Sequence, residues 1–397
     1  MSALQIAEGI NWVGVKDPGL RIFDLYVKTT YGTTYNSYIV AGEKVALIDA
    51  VKDGFEEQFF NSITEIMPIE KIDYLIVNHN EPDHSGAINE VLRRNPRIQL
   101  VCSKPAVPFL RNIINDDARP IEGVKGGDRL DLGGLSLEFL SAPFMHWPDT
   151  MFCYCPEQQV LFSCDGFAAH ICPEDSMFAK VGDPVLEHEA WYYYDCIMRP
   201  FAPFSRKASE GVISKAISVV APSHGPINAD QPKYFIQKYL EWTQLKFKSS
   251  KKIIAMFVAS SYGNTKRMGD TIAASFPADQ FEVHQFDAMD VSGERARDIM
   301  EAADGIIFGT PTFAGDVVKP IWDIAHLLPS VSSTGKKAAA FGSYGWGGQA
   351  PEILEGYLEQ LKLKVLKPGA RARLVPSTTE LDDCREFAGK FAEFVIG

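Results

Sequence analysis

Apolar residues in the first 120 positions fall into short runs that alternate with stretches of helical period. VALIDAV (45–51), IDYLIVNH (72–79) and RIQLVCS (97–103) have the length and density of buried strands. Each leads into a segment whose apolar positions recur every three or four residues: GFEEQFFNSITEIM, AINEVLRRN and AVPFLRNII. Between 120 and 165 the pattern turns more purely β, with Gly-Gly turns at 126–127 and 133–134 and a hairpin around PEQQ (156–159). A mostly helical stretch follows, then a strand in ISVVAPSH (217–224) and a helix in QPKYFIQKYLEWTQLKF (231–247). A β-rich layer flanked by helices predicts an αββα sandwich.

The polar, basic run KFKSSKK (246–252) marks the expected boundary, giving domains 1–248 and 249–397. Beyond it, strands and helices alternate strictly. The strands are KIIAMFVAS, FEVHQFDA, GIIFGTPT, KAAAFGSY and KVLKPGARARLV. The helices are NTKRMGDTIAASF, ERARDIMEA, the AHLL region, QAPEILEGYLEQL and DDCREFAGKFAEFVI. Five strands alternating with helices predict a doubly wound, flavodoxin-like parallel sheet, α/β in class.

Composition narrows the possibilities. A length of 397 residues suits two domains. With 46% apolar and 23% charged residues the chain reads as an ordinary globular protein. Its longest apolar runs fall short of the ~20 residues a membrane helix requires. The start, MSALQIAEGI, has no basic segment leading into an apolar one, so a secretory signal is not expected. A net charge of −12 argues against a nucleic-acid partner and suits a small protein of complementary charge. Seven cysteines, with no CxxC pair, read as reduced thiols of a cytoplasmic protein. The same absence implies that no rubredoxin-type iron centre is fused to the chain.

The densest chemistry lies in NHNEPDHSG, where His79, Glu81, Asp83 and His84 crowd into six residues. His146, Asp165 and His224 follow at long intervals in APFMHWPD, LFSCDGF and VVAPSHGP, each read as a strand end running into a loop. A loop stiffened by Pro82 and followed by Gly86 can turn the first four side chains into one cavity. The later three would arrive from strand ends at the same edge of the sandwich. Imidazoles and carboxylates distributed in this way suit a binuclear metal centre with one bridging carboxylate. Zinc sites favour nitrogen and sulfur ligands, so the carboxylate of Glu81 points to a harder, redox-active ion such as iron. A dizinc hydrolase is the competing reading. His170 is either a hydrogen-bonded neighbour of the ligands or a plain polar contact. Trp147 reads as packing, and one of Tyr192, Tyr193 and Tyr194 as facing the substrate or stacking in a helix.

A second constellation lies at the expected carboxyl ends of the C-terminal sheet. Ser260, Ser261, Tyr262, Gly263, Asn264 and Thr265 separate the first strand from its helix. Hydroxyls there, with backbone N–H groups of a helix N-terminus, make a phosphate cradle. Thr310, Pro311, Thr312, Phe313, Ala314 and Gly315 follow the third strand, and Ser343, Tyr344, Gly345, Trp346, Gly347 and Gly348 the fourth. Aromatics in these loops can stack on an isoalloxazine ring, and glycines expose amides to its polar edge. No GxGxxG appears, so the expected ligand is FMN and not a dinucleotide.

The order H-x-E-x-D-H followed by His, Asp and His resembles the metallo-β-lactamase fold, as do GTTYNSYIV (32–40) and the LIDAV strand. Glu81 stands where that fold has a second His. With this departure and the FMN-type domain, the chain resembles the A-type flavodiiron proteins over nearly its whole length. The resemblance implies two irons per chain. His79, Glu81 and His146 would hold one, Asp83, His84 and His224 the other, and Asp165 would bridge them. It also implies reduction of dioxygen to water, of nitric oxide to nitrous oxide, or of both, with electrons relayed by FMN. A domain of this size has a radius of gyration near ~18 Å, so the two cofactors of one chain can lie far apart. The family's solution, a head-to-tail homodimer (or a dimer of dimers) with each FMN beside the partner's irons, is expected here. So is a separate electron donor such as rubredoxin.

Overall fold

The apolar runs of the N-terminal half pair into two sheets whose inner faces share one core. In this computed structural model, which describes residues 3–397, the chain divides into two compact units at Thr243/Gln244. In the first unit a seven-stranded sheet runs in the order Leu4–Ala7, Ile10–Trp12, Tyr38–Ala41, Val45–Ile48, Tyr74–Val77, Gln99–Ser103 and Ile121–Val124. A five-stranded sheet follows in the order Arg129–Asp131, Ser136–Ser141, Met151–Cys155, Val160–Cys164 and Val219–Pro222.

Strand alternation sends successive side chains to opposite faces, and both faces here are buried. Tyr38, Val40, Ile76 and Val101 meet Phe139, Cys153, Cys155 and Phe162 between the sheets. Ile39, Leu47, Leu75 and Leu100 face outward onto helices Glu56–Ile66, Ile88–Arg94 and Val107–Ile114. On the far side, Phe152, Leu161 and Val220 pack under Pro184–Tyr193, Ala202–Ile213 and Tyr234–Trp242. This is the expected αββα layering. Cys153 and Cys155 share the inner face, and all seven cysteines are free.

The second unit is a parallel sheet in the order Phe281–Asp287, Lys252–Val258, Gly305–Gly309, Lys337–Tyr344 and Lys364–Leu366. In chain order this is 2-1-3-4-5, the flavodoxin arrangement, with helices covering both faces. Three elements differ from expectation. The fifth strand is broken, continuing as Arg371–Arg373 along the upper half of Lys337–Tyr344. Pro368 cannot donate to a ladder, and a Cβ on Gly369 would run into the Ala340 carbonyl, so the chain crosses here without a strand. The helix expected over 231–247 spans only Tyr234–Trp242. AHLL ends the helix Lys319–Ala325 and does not found one of its own.

Candidate metal centre and flavin cradle

Strand ends at one edge of the sandwich deliver the clustered side chains. His79 follows Tyr74–Val77, and Asp165 and His224 follow the parallel pair Val160–Cys164 and Val219–Pro222. His146 comes from the loop between Ser136–Ser141 and Met151–Cys155. The turn Pro82–Ser85 carries Asp83 and His84 back toward them. Left-handed backbone at Gly225, after His224, lets the chain pass against Ala169, where a Cβ would collide with the carbonyl.

All seven side chains converge, in two groups. Glu81 Oε2 lies 3.1 Å from both His79 Nε2 and His146 Nε2. Asp165 Oδ2 lies 3.7 Å from each of the same two nitrogens. The other oxygen, Asp165 Oδ1, is 3.1 Å from His84 Nε2 and 3.3 Å from His224 Nε2. Asp83 completes that second group, its Oδ2 3.1 Å from His224 Nε2. Asp165 thus presents one oxygen to each group.

The cluster makes poor sense as a hydrogen-bonded core. Both oxygens of Asp83 and Nε2 of His84 are buried without a hydrogen-bond partner. A buried carboxylate that faces imidazoles without hydrogen-bond geometry is expensive, and a cation between the converging lone pairs would offset the cost. Burial works against charge on His79, His84 and His224, yet the facing carboxylates push all three up to about 10. Burial also opposes ionisation of Asp165, but His84, His224 and His79 hold its carboxyl well below the usual range. Oxygen and nitrogen donors in this mixture fit iron.

Neighbours fix the imidazoles. Asp149 Oδ2 is 3.2 Å from His79 Nδ1 and accepts from both the backbone and side-chain nitrogens of Asn80 at 2.9 Å. His224 Nδ1 donates to the Thr34 carbonyl at 2.7 Å, which leaves Nε2 free to face the cluster. Asp49, which accepts from Asn78 N at 2.7 Å, lies beside His84 and Cys164. Phe23, in the short ribbon Ile22–Phe23/Val27–Lys28, packs 5.8 Å from His224 and 4.5 Å from His170. None of Asp149, Asp49, Thr34 or Phe23 stood out in the sequence. His170 stands apart from the two groups, its Nδ1 2.9 Å from Thr33 Oγ1. Burial and the neighbouring His224 hold it well below the usual range, so its ring is neutral. Of the three consecutive tyrosines, Tyr193 is the one packed on His170 and His224.

In the second unit the three loops leave the carboxyl ends of strands one, three and four. Gly263 caps the helix Asn264–Ala274 with φ +81, and open space surrounds its absent Cβ. Ser260 Oγ accepts from Lys266 N at 3.2 Å, while Thr265 Oγ1 is buried 2.8 Å from Ser343 Oγ. Thr312–Phe313 and Asp316–Val317 pair as a small ribbon, turned by the left-handed Ala314 and Gly315. Thr312 Oγ1 accepts from Ala350 N at 3.3 Å, tying this loop to the start of the next helix. Tyr262, Phe313 and Trp346 stand 92%, 73% and 88% exposed. Large rings are rarely so bare without a ligand or partner. A helix N-terminus with open rings around it fits FMN.

Two family models match, one described as ODP family beta lactamase over residues 33–225 and one as flavodoxin over 256–387. The chain is 39% identical to the type A flavoprotein fprA of Rhodobacter capsulatus, covering 99% of this chain and 91% of the relative. It is 32% identical to a nitric oxide reductase of Moorella thermoacetica, covering 98% and 97%. Among solved structures, the rubredoxin oxygen:oxidoreductase of Desulfovibrio gigas aligns with a TM-score of 0.68 at 26% identity, covering 100% and 99%.

Proposed function

The chain belongs to the flavodiiron family of type A flavoproteins, an oxidoreductase with FMN and a diiron site, and from that premise we propose that it reduces dioxygen to water, nitric oxide to nitrous oxide, or both. Asp165, with one oxygen toward each ligand group, carries this reading. His79, Glu81 and His146 would hold one iron, and Asp83, His84 and His224 the other. Loaded with these cofactors, the protein would gain a reducing metal pair that takes up the gas and a flavin that hands on electrons singly. The relatives named nitric oxide reductase and rubredoxin oxygen:oxidoreductase support the two substrates.

The surrounding residues supply order. Asp165 would present one oxygen to each of two metal ions, and Glu81 would add negative charge that favours their oxidised state. Asp149 and the Thr34 carbonyl hold His79 and His224 with one nitrogen directed inward. Six of the seven side chains are buried and His146 is partly exposed, which limits the access of bulk water to the cluster.

In the second unit, Ser260, Ser261, Gly263 and Asn264 would cradle the FMN phosphate, with Thr265 bracing the loop through Ser343. Tyr262, Phe313, Tyr344 and Trp346 would bound the ring system, and the backbone of 310–315 and 343–348 its polar edge. We propose a head-to-tail homodimer in which each flavin serves the partner's irons. The donor would be a separate rubredoxin-like carrier. Seven free thiols suit a reducing, cytoplasmic setting. Among the described residues no helix is long and apolar enough to cross a membrane.

Metal and flavin analysis followed by anaerobic turnover tests this reading. Two irons and one FMN per chain, with rapid consumption of either gas from reduced rubredoxin, are expected. Zinc in place of iron, or reduced flavin that neither gas reoxidises, would sink it.

A further inference from the structure

Tyr193 leads away from the metal pocket into a set of rings for which the reduction just described has no use. Its ring lies 4.9 Å from His170 and 6.3 Å from His224. Tyr193 packs in one buried cluster with Tyr239 and with Tyr194, its neighbour in the chain. From Tyr239 the rings continue to Tyr194 at 5.1 Å and Trp242 at 5.6 Å. Trp242 also lies 5.2 Å from Tyr194 and 5.3 Å from Trp191. The three tyrosines are fully buried, whereas Trp191 and Trp242 are half-buried at the outer side of helices Pro184–Tyr193 and Tyr234–Trp242.

Packing alone does not ask for these residue types. Phenylalanine fills nearly the volume of tyrosine without a hydroxyl that is costly to bury. Tyrosine and tryptophan differ from phenylalanine in giving up one electron readily at neutral pH. Rings in contact also pass an electron far faster than the same distance of saturated chain.

We infer that Tyr193, Tyr239, Tyr194, Trp242 and Trp191 form a one-electron conduit between the metal pocket and the surface. It would work when flavin electrons run short. The inference rests on the reading that dioxygen is reduced at the metal centre. Dioxygen takes up four electrons and four protons to become two waters, of which a ferrous pair carries two electrons and reduced FMN two more. With the flavin oxidised, Tyr193 supplies an electron and its phenolic proton to the half-reduced dioxygen and becomes a neutral phenoxyl radical. Electron transfer from Trp242 and Trp191 by way of Tyr239 and Tyr194, with a proton from water in the pocket, restores the phenol. The radical then rests on an indole, whose N–H proton has passed to surface water. A low-molecular-weight thiol returns one hydrogen atom to the indole and pairs with a second thiyl as a disulfide. Two such passes supply the missing pair of electrons and keep the oxidant away from the imidazole ligands.

The test uses the full chain loaded with iron and FMN, reduced with graded, limiting dithionite and freeze-quenched after mixing with excess dioxygen. An organic-radical EPR signal whose line shape responds to ring-deuterated tryptophan or tyrosine, and which is therefore not a flavin semiquinone, should be largest at partial reduction and vanish at full reduction. Ring-deuterated tyrosine should change its line shape in the Trp191→Phe/Trp242→Phe variant, where the hole stays on tyrosine. Tyr193→Phe, with iron and FMN content equal to wild type, should lose the signal. Ferrous iron that is oxidised (by Mössbauer spectroscopy) with no radical at any degree of reduction would overturn the conduit alone. An undiminished radical in Tyr193→Phe would do the same. Ferrous iron that dioxygen leaves unoxidised would overturn the dioxygen reading and the conduit with it. Should Tyr193→Phe fail to fold, the line shape in the double tryptophan variant decides.

Discussion

At the scale of single residues, Glu81 and Asp149 separate the proposed role of holding a metal from that of orienting its ligands. Glu81 Oε2 meets two imidazole nitrogens at 3.1 Å, so Glu81→Ala should lose iron and turnover while the second unit keeps its FMN. Metal analysis beside the flavin absorbance of the same sample checks this, and full activity would refute the ligand role. Asp149 meets His79 at its outer nitrogen alone and is itself held by Asn80. Asp149→Ala should therefore weaken metal affinity by roughly 10–100-fold without abolishing binding, as competition with a chelator would measure. The convergence of this cluster was legible because four imidazole and carboxylate side chains within six residues have no use in an apolar core. Asp149 was not, since a carboxylate in HWPDTM looks like any loop acid until His79 is seen beside it. Thr34 acts through its backbone carbonyl, which no side-chain pattern can reveal.

At the scale of elements, two helix starts in the second unit lend themselves to measurement. Gly263 holds φ +81 with nothing near its absent Cβ, so Gly263→Ala carries only the backbone penalty of about 1–2 kcal/mol. That strain is present with and without FMN, so it should appear as a loss of about 1–2 kcal/mol in the stability of the second unit, read by denaturant unfolding. Ser377 and Glu380 form a reciprocal capping box on the helix Thr378–Ile396. Ser377→Ala should cost about 0.5–2 kcal/mol of stability, visible in thermal unfolding with FMN affinity unchanged. Most strands and helices followed from periodicity alone. The exceptions have local causes: Pro368 and Gly369 break a strand that apolar content would continue, and a run as short as AHLL cannot tell a helix from its end.

At the scale of the whole molecule, the two units of the chain should answer separately to their cofactors. Removing metal leaves four imidazoles and three carboxylates facing one another in the first unit. Chelation should lower the first unit's unfolding midpoint and leave that of the second in place, seen as one shifted and one fixed calorimetric transition. A single transition that shifts as a whole would contradict this independence. By itself the sequence determined two α/β units, the order of the elements, the cluster of imidazoles and carboxylates and the loops at the flavodoxin sheet's carboxyl ends. Those follow from periodicity and residue chemistry, which are local. The tertiary structure alone decided that Asp165 divides its oxygens between two groups, that Asp149 and Thr34 orient imidazoles, and that Tyr193 and not its neighbours faces the pocket. These depend on which strand ends meet at one edge of the sandwich, and that meeting joins residues up to 191 positions apart, beyond the reach of any local pattern.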